Sequence, residues 1–400
     1  KLLLPKKGID MSKWSVVACD QFTSEPEYWS ELASYVGDAP SALKLIYPEV
    51  YLQEADKQQR VDAINKSMDD YLQNGIFDEV EALVLVDRTL ASGAHRLGLM
   101  LEVDLEEYDY VEGAKSLIRA TERTVVERLP ARIQLRSKAS LELPHIMLLM
   151  DDDNKNILSK VYKKREGFEV LYDFELNLGG GHLTGYKVDK PLALLKEISS
   201  LVSKENIANK YHDVAPILFA VGDGNHSLAT AKECWNNIKK TLSKTERKNH
   251  PSRYALCELV SVYDEGLQFE SIHRLVMGVG VHFIEFLQSM LGGAASTKAV
   301  FEGNEYVINI NNYPPAAIAD IQSAIDVYLA NHSEASIDYI HGDSNLLEVA
   351  GRLDAVALYM PSFNKHQLFD HIARKGVLPR KAFSMGHAED KRYYTEAKKI

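Results

Sequence analysis

Apolar and polar positions change period several times along the chain, and each change marks an element. Residues 82–88, Ala-Leu-Val-Leu-Val-Asp-Arg, are an apolar run ending in charge, the pattern of a short buried strand, and 97–105 alternates like its hairpin partner. Residues 26–74 carry helical spacing broken near Pro40 and Pro48. Residues 108–113 read as a connection and 121–129 as a helix that Pro130 stops. Residues 143–150 form a second buried strand, followed by Asp151-Asp152-Asp153 as a solvent-facing turn. The stretch 171–188 is strand-like around a Gly179-Gly180-Gly181 turn, and 192–202 is helical, with Pro191 just ahead where a proline is tolerated. Residues 216–221, Pro-Ile-Leu-Phe-Ala-Val, are wholly apolar, as in a strand covered on both faces. Leu228, Ala231 and Trp235 then recur at helical spacing. Residues 239–251 form a polar connection and 253–263 a further strand. Beyond about Gly280 the elements become short and mixed, with helices near 315–330 and 362–375. Lys391-Arg392-Tyr393-Tyr394 reads as a surface helix.

This order predicts an α/β protein of the mixed-sheet, α+β kind. Its expected regions are an N-terminal α/β region over 1–112, a central one over 113–280 and a smaller C-terminal one over 281–400. A chain of 400 residues exceeds one ordinary core, and 46% hydrophobic with 26% charged residues is a globular composition. The net charge of −11 argues against broad nucleic-acid binding, which needs a basic face, and leaves room for a local basic pocket. Cys19, Cys234 and Cys257 lack metal-ligand spacing and read as reduced thiols. No apolar run approaches the roughly 20 residues of a membrane helix. Lys-Leu-Leu-Leu-Pro-Lys-Lys at the start is too short for a secretory signal, so a cytoplasmic location is expected.

Chemistry concentrates at Val221-Gly222-Asp223-Gly224-Asn225-His226-Ser227, where the apolar strand feeds a helix. The first amides of a helix lack intrahelical partners and its dipole favours an anion there. Gly222 and Gly224 permit unusual backbone angles and close approach of a ligand. Asn225 or Ser227 would cap the helix. Asp223 and His226 would orient a hydroxyl, hold a divalent ion or exchange a proton. The same residues also suit an unliganded tight turn with a packed histidine.

The segment 221–232 resembles the Asp-Gly-His-His-Arg segment of the ParB/sulfiredoxin-like fold, which includes free-serine kinases. Longer segments resemble the domain-of-unknown-function 1015 family. These are Ala18-Cys19-Asp20-Gln21-Phe22-Thr23, Ala120-Thr121-Glu122-Arg123-Thr124-Val125-Val126-Glu127-Arg128, Glu142-Leu143-Pro144-His145 and Ser271-Ile272-His273-Arg274. The tail Leu378-Pro379-Arg380-Lys381-Ala382-Phe383-Ser384-Met385-Gly386 completes the set, so this resemblance spans nearly the whole chain. The turn departs from the kinase pattern: Asn225 stands for the first His and Ser227 for the Arg. In the related kinases that Arg would help hold phosphate, so another cation must substitute here. The resemblance implies a ParB/sulfiredoxin-like core element with additional N- and C-terminal regions. It also implies phosphotransfer, with Mg2+ and ATP or ADP as cofactors and a phosphorylated small molecule as ligand. A phosphatase and a non-catalytic nucleotide- or metabolite-binding regulator are the alternatives, and the oligomeric state is left open.

Candidate cations are Arg119, Arg123, Arg128, Arg132 and Arg136, together with Arg274, Arg380 and Lys381. Guanidinium groups bind phosphate bidentately, but the same arginines also suit a solvated stripe paired with Glu122 and Glu127. Glu122 is a candidate general base, Thr121 a hydroxyl beside it, and His273-Arg274 a candidate phosphate contact. Gly179-Gly180-Gly181-His182 lacks a P-loop's Gly-Lys-Ser/Thr ending and reads as a hairpin turn or lid. No His-Glu-x-x-His, Gly-x-Ser-x-Gly or Cys-x-x-Cys occurs, and no metal ligand set is assigned.

Overall fold

The computed structural model describes residues 1–52, 54–124, 129–153, 156–379 and 381–400. It is a mixed α/β structure in two compact units: residues 1–267 with 388–400, and residues 268–387. Positions 112/113 and 280/281 fall inside the first and second unit respectively.

In the first unit, nine strands make one mixed sheet. Their order is Glu169–Glu175, His182–Lys187, Val84–Thr89, His95–Asp104, Tyr254–Ser261, Met147–Met150, Phe219–Asp223, Ile118–Ala120 and Tyr108–Asp109. Alternation along the strands distributes side chains between two cores. Val84, Val86, Met100 and Leu256 pack into one, Leu85, Leu99, Leu101, Ala255 and Cys257 into the other. Covering both faces removes the need for a polar side, which is why these strands read as nearly continuous apolar runs. The helices Pro26–Val36 and Lys57–Gln73 contribute Trp29, Leu32, Ile64 and Met68 to the first core. The helix Asn225–Ile238 contributes Leu228, Ala231 and Trp235 to the second.

Four local expectations are corrected. Residues 121–124 are not helical; a helix runs over Leu129–Arg136, with Pro130 in its first turn. Proline fits there because first-turn amides have no intrahelical acceptor to lose. The stretch 108–113 begins with an edge strand, Tyr108–Asp109. The acidic trio is not solvated throughout: Asp152 is buried, accepting from the Ile157 amide at 2.9 Å and from the Ser261 hydroxyl.

The fourth correction concerns the tail. Residues 391–394 are not a surface helix. The strand Tyr393–Tyr394 pairs antiparallel with Val16–Val17, and Lys398–Lys399 pairs with Leu141–Glu142. Lys391, Arg392, Tyr393, Tyr394, Thr395 and Glu396 are all buried. The C-terminal segment is thus packed into the first unit, with Lys391 and Arg392 buried beside carboxylates that offset their charge.

The second unit is a sheet ordered Asn304–Ile310, Ala295–Phe301, Val356–Leu358, Phe269–Met277 and Ser336–His341, with Phe383–Met385 also paired to Phe269–Met277. Its helices include Val281–Met290, Pro314–Asn331, Asp343–Leu353 and Leu368–Lys375. Among the described residues no helix is long and apolar enough to cross a membrane.

Candidate active site

Two parallel strands, Ile118–Ala120 and Phe219–Asp223, end side by side, with Ala120 opposite Val221. The antiparallel neighbour Met147–Met150 starts at the same edge, with Met147 opposite Asp223. The register slips by one residue between Val221 and Asp223, so Gly222 forms a bulge there. Thr121, the 222–227 turn and the residues just before Met147 therefore meet at one end of the sheet, where ligands commonly bind in α/β folds.

Gly224, not Asn225 or Ser227, caps the helix. Its φ is +80°, and its amide donates to Asp223 Oδ1 at 2.9 Å. The left-handed angle explains the glycine and displaces Asn225 into the helix proper. A Cβ here would lie 3.0 Å from the Ile146 Cα. Gly224→Ala is expected to destabilise the protein by about 1–2 kcal/mol, the cost of left-handed backbone for an L-residue, in a denaturant melt. A change below the measurement error would mean that the turn relaxes freely. Gly222 needs no positive φ.

Asn225 instead braces the turn. Its Oδ1 accepts from the Thr121 amide at 3.3 Å, and the buried Thr121 hydroxyl donates to the Val221 carbonyl at 2.6 Å. Ser227 faces the other way, with Oγ 3.2 Å from His145 Nε2. That nitrogen also lies 3.6 Å from Asp20 Oδ2, and His145 Nδ1 is 2.8 Å from the Tyr394 hydroxyl. Because Ser227 and Asp20 share one ring nitrogen, this is not a nucleophile–base–carboxylate relay, which needs both nitrogens in series. His145 is a buried polar hub joining four distant segments.

A cation does reach the turn. Lys391 Nζ lies 3.4 Å from Asp223 Oδ2, and its side chain is only 9% exposed. Burial alone would raise the Asp20 carboxyl, but His145, the Gln21 amide, Arg132 and Lys391 hold it below the usual carboxylate range. Burial, then Asp20 and Glu49, push the neighbouring Cys19 thiol up to about 12. Cys19 is accordingly a protonated thiol at neutral pH and a poor nucleophile.

The residues nominated from sequence divide into several groups. Asp223, Gly222, Gly224, Asn225, His226, Ser227 and Thr121 lie together, with the partly buried Glu122 following Thr121. Arg132 joins the cluster through Glu49, whose amide donates to the Cys19 carbonyl at 2.8 Å. Arg119 is held elsewhere: it donates to the carbonyls of Ser116, Ala215 and Pro216, which precede the two strands rather than follow them. Arg123 is exposed and pairs with Glu112 at 2.8 Å, and Arg136 pairs with the buried Glu142.

His273, Arg274 and Lys381 belong to the second unit. There His273 Nε2 lies 2.9 Å from Asp343, and the fully buried Arg274 donates to Gln322, Ile272 and the Lys381 carbonyl. Lys381 is exposed with φ +57°. Arg128 and Arg380 lie outside the described residues. Roles for Asp20, His145, Lys391 and Tyr394 were not assigned from sequence. The first two sat in recognisable segments, and the Tyr393-Tyr394 doublet was the available sign of a buried tail. Among the described residues no three His, Cys, Asp or Glu side chains gather as a metal-ligand set.

The family model described as "Protein of unknown function (DUF1015)" matches residues 3–356. The chain belongs to this family. No curated protein matches this DUF1015 chain. Among solved structures it is similar to a conserved hypothetical protein from Pyrococcus furiosus, at 9% identity and a TM-score of 0.38, covering 75% of this chain and 94% of that one. It is also similar to mutants of a free serine kinase in complex with AMP and with ADP. Both show 9% identity and cover 74% of this chain and 90% of theirs, with TM-scores of 0.42 and 0.41. What the DUF1015 site can do is read from its own geometry.

Proposed function

We propose that this chain is a small-molecule phosphotransferase, a nucleotide-dependent kinase whose acceptor is the hydroxyl of a free amino acid such as serine. The observation that carries the reading is Lys391, a buried cation 3.4 Å from Asp223 where a helix begins. The turn lacks the arginine that its resemblance to kinases called for, and Lys391 supplies positive charge in its place. Phosphoryl transfer asks mainly for positioning and charge compensation. First-turn amides of the Asn225–Ile238 helix and Lys391 offer both. In the proposed step the acceptor oxygen bonds to the terminal phosphorus as the bond from phosphorus to the bridging oxygen breaks. The hydroxyl proton passes to Asp223, with His226 orienting the acceptor, and the nucleotide leaves one phosphate shorter. Magnesium arriving with the nucleotide would be held by phosphate and water oxygens, leaving the Asp223 carboxylate to take the proton. The metal's charge would offset that of the phosphates.

A melting experiment with ADP or ATP, with and without magnesium, tests this reading. A nucleotide at 100 times its Kd is expected to add about 2.7 kcal/mol of apparent stability to the wild-type protein. Lys391→Ala should weaken that binding by about 10- to 100-fold, as loss of a charge-assisted contact does. An undiminished shift in folded Lys391→Ala would remove Lys391 from the site. Tight nucleotide binding without transfer to any hydroxyl amino acid or to water would favour a regulator instead.

A further inference from the structure

Arg88 and Arg96 stand directly opposite each other on the hairpin of Val84–Thr89 and His95–Asp104, and both are buried. Like charges facing across a ladder oppose folding, and a buried guanidinium is costly unless its donors are satisfied. Nη donors of both converge on one short stretch of the tail. Arg88 Nη2 donates to the Glu389 carbonyl at 2.6 Å, Arg96 Nη1 to Asp390 at 2.8 Å and Arg88 Nη1 to Lys391 at 2.6 Å. Arg88 further donates to Gly180 at 3.0 Å and lies over the Tyr393 ring, 4.8 Å from its centroid. The three carbonyls close a turn of 3-10 helix over Ala388–Asp390, where cationic side chains are the natural partners of terminal carbonyls.

We propose that Arg88 and Arg96 are positioning residues: they clamp three successive carbonyls of the tail and so fix the point from which Lys391 reaches Asp223. This rests on the reading of Lys391 as the cation of the site. The clamp gives the pair a role that neither packing nor cross-strand pairing supplies. Lys391 has no strand of its own; the next one starts at Tyr393. Its backbone is located by arginines presented from the centre of the sheet. Gly180 takes part because a Cβ there would lie 2.4 Å from the Tyr393 hydroxyl, so only glycine lets the hairpin turn close over the tail.

The test is amine labelling of the folded protein, quantified residue by residue by mass spectrometry, in wild type, Arg88→Lys and Arg96→Lys. Lys398 is the control: it is also buried, but it donates to the Pro251 and Tyr254 carbonyls, away from the clamp. Labelling of Lys391 is expected to rise about tenfold or more in each variant as local protection is lost, with Lys398 unchanged. Labelling of Lys391 at the wild-type rate in both variants would overturn the proposal. So would a parallel rise at Lys398, which marks general loosening. Where Arg88→Lys does not fold, Arg96→Lys, which gives up a single carbonyl bond, carries the test. Failure of wild-type protein to bind ADP or ATP would refute the kinase reading and leave the labelling result standing, so the two failures are distinguishable.

Discussion

Asp223→Asn is expected to lower phosphate transfer by about 100-fold or more, the usual loss on removing a general base. Nucleotide affinity should change far less, because the amide oxygen can still accept from the Gly224 amide and the helix start is kept. The charge it removes faces Lys391, so ground-state binding of an anion is, if anything, favoured. His226→Ala is expected to impair transfer in the same direction through loss of acceptor alignment. Steady-state rates over a series of hydroxyl amino acids, paired with calorimetric nucleotide titrations, separate the two effects. Equal losses of binding and turnover would demote Asp223 to a support of the turn.

The largest expected effect on stability lies in the tail. Arg392 is buried between Glu396 and Glu258, two carboxylates that are almost wholly out of contact with water. Glu396 also accepts from the Tyr172 hydroxyl at 2.5 Å. Burial works against the charge on Arg392, yet Glu396 and Glu258 hold the guanidinium above its usual range. Arg392→Ala would leave two carboxylates buried without their cation, at an expected cost of about 3–5 kcal/mol. Denaturant unfolding followed by far-UV circular dichroism would measure it. A loss under about 1 kcal/mol would mean that water already reaches the pair, as for an exposed ion pair. Replacing Arg392 with Met and Glu396 with Leu together should recover part of the loss, since well-packed apolar side chains carry no desolvation cost. The site of the pair is itself fitted by sequence: a Cβ at Gly98 would lie 2.0 Å from Glu258 Oε1.

Both effects depend on how far apart in the chain the interacting residues lie. Local chemistry made several things legible in advance. The apolar runs of 82–88 and 216–221 gave strands at Val84–Thr89 and Phe219–Asp223, and the spacing of Leu228, Ala231 and Trp235 gave the face of a helix. The turn between strand and helix was located correctly because its glycine, acid and polar residues are contiguous. The hairpin around Gly179-Gly180-Gly181 was readable for the same reason, since it joins Glu169–Glu175 to His182–Lys187.

What the sequence by itself determined was therefore the mixed α/β class, most elements and the turn, because strand, helix and turn preferences act over a few residues. Only the tertiary structure decided which side chains face that turn. Asp20, His145, and the tail residues Lys391 and Tyr394 come from three segments spread over nearly the whole chain, and no local pattern records that they converge. The tail shows the limit most sharply. Lys391-Arg392-Tyr393-Tyr394 has the composition of a surface, and local composition favours solvent for such charges. Their burial is settled by partners elsewhere: Asp223 for Lys391, Glu258 for Arg392, and Val16–Val17 for the two tyrosines. Arg119 makes the complementary point, since its guanidinium made it a candidate phosphate contact, while carbonyls at 215 and 216 claim its donors. A charge goes wherever the folded chain offers enough counter-charge or hydrogen-bond acceptors to offset its desolvation, and that offer exists only once distant segments have met.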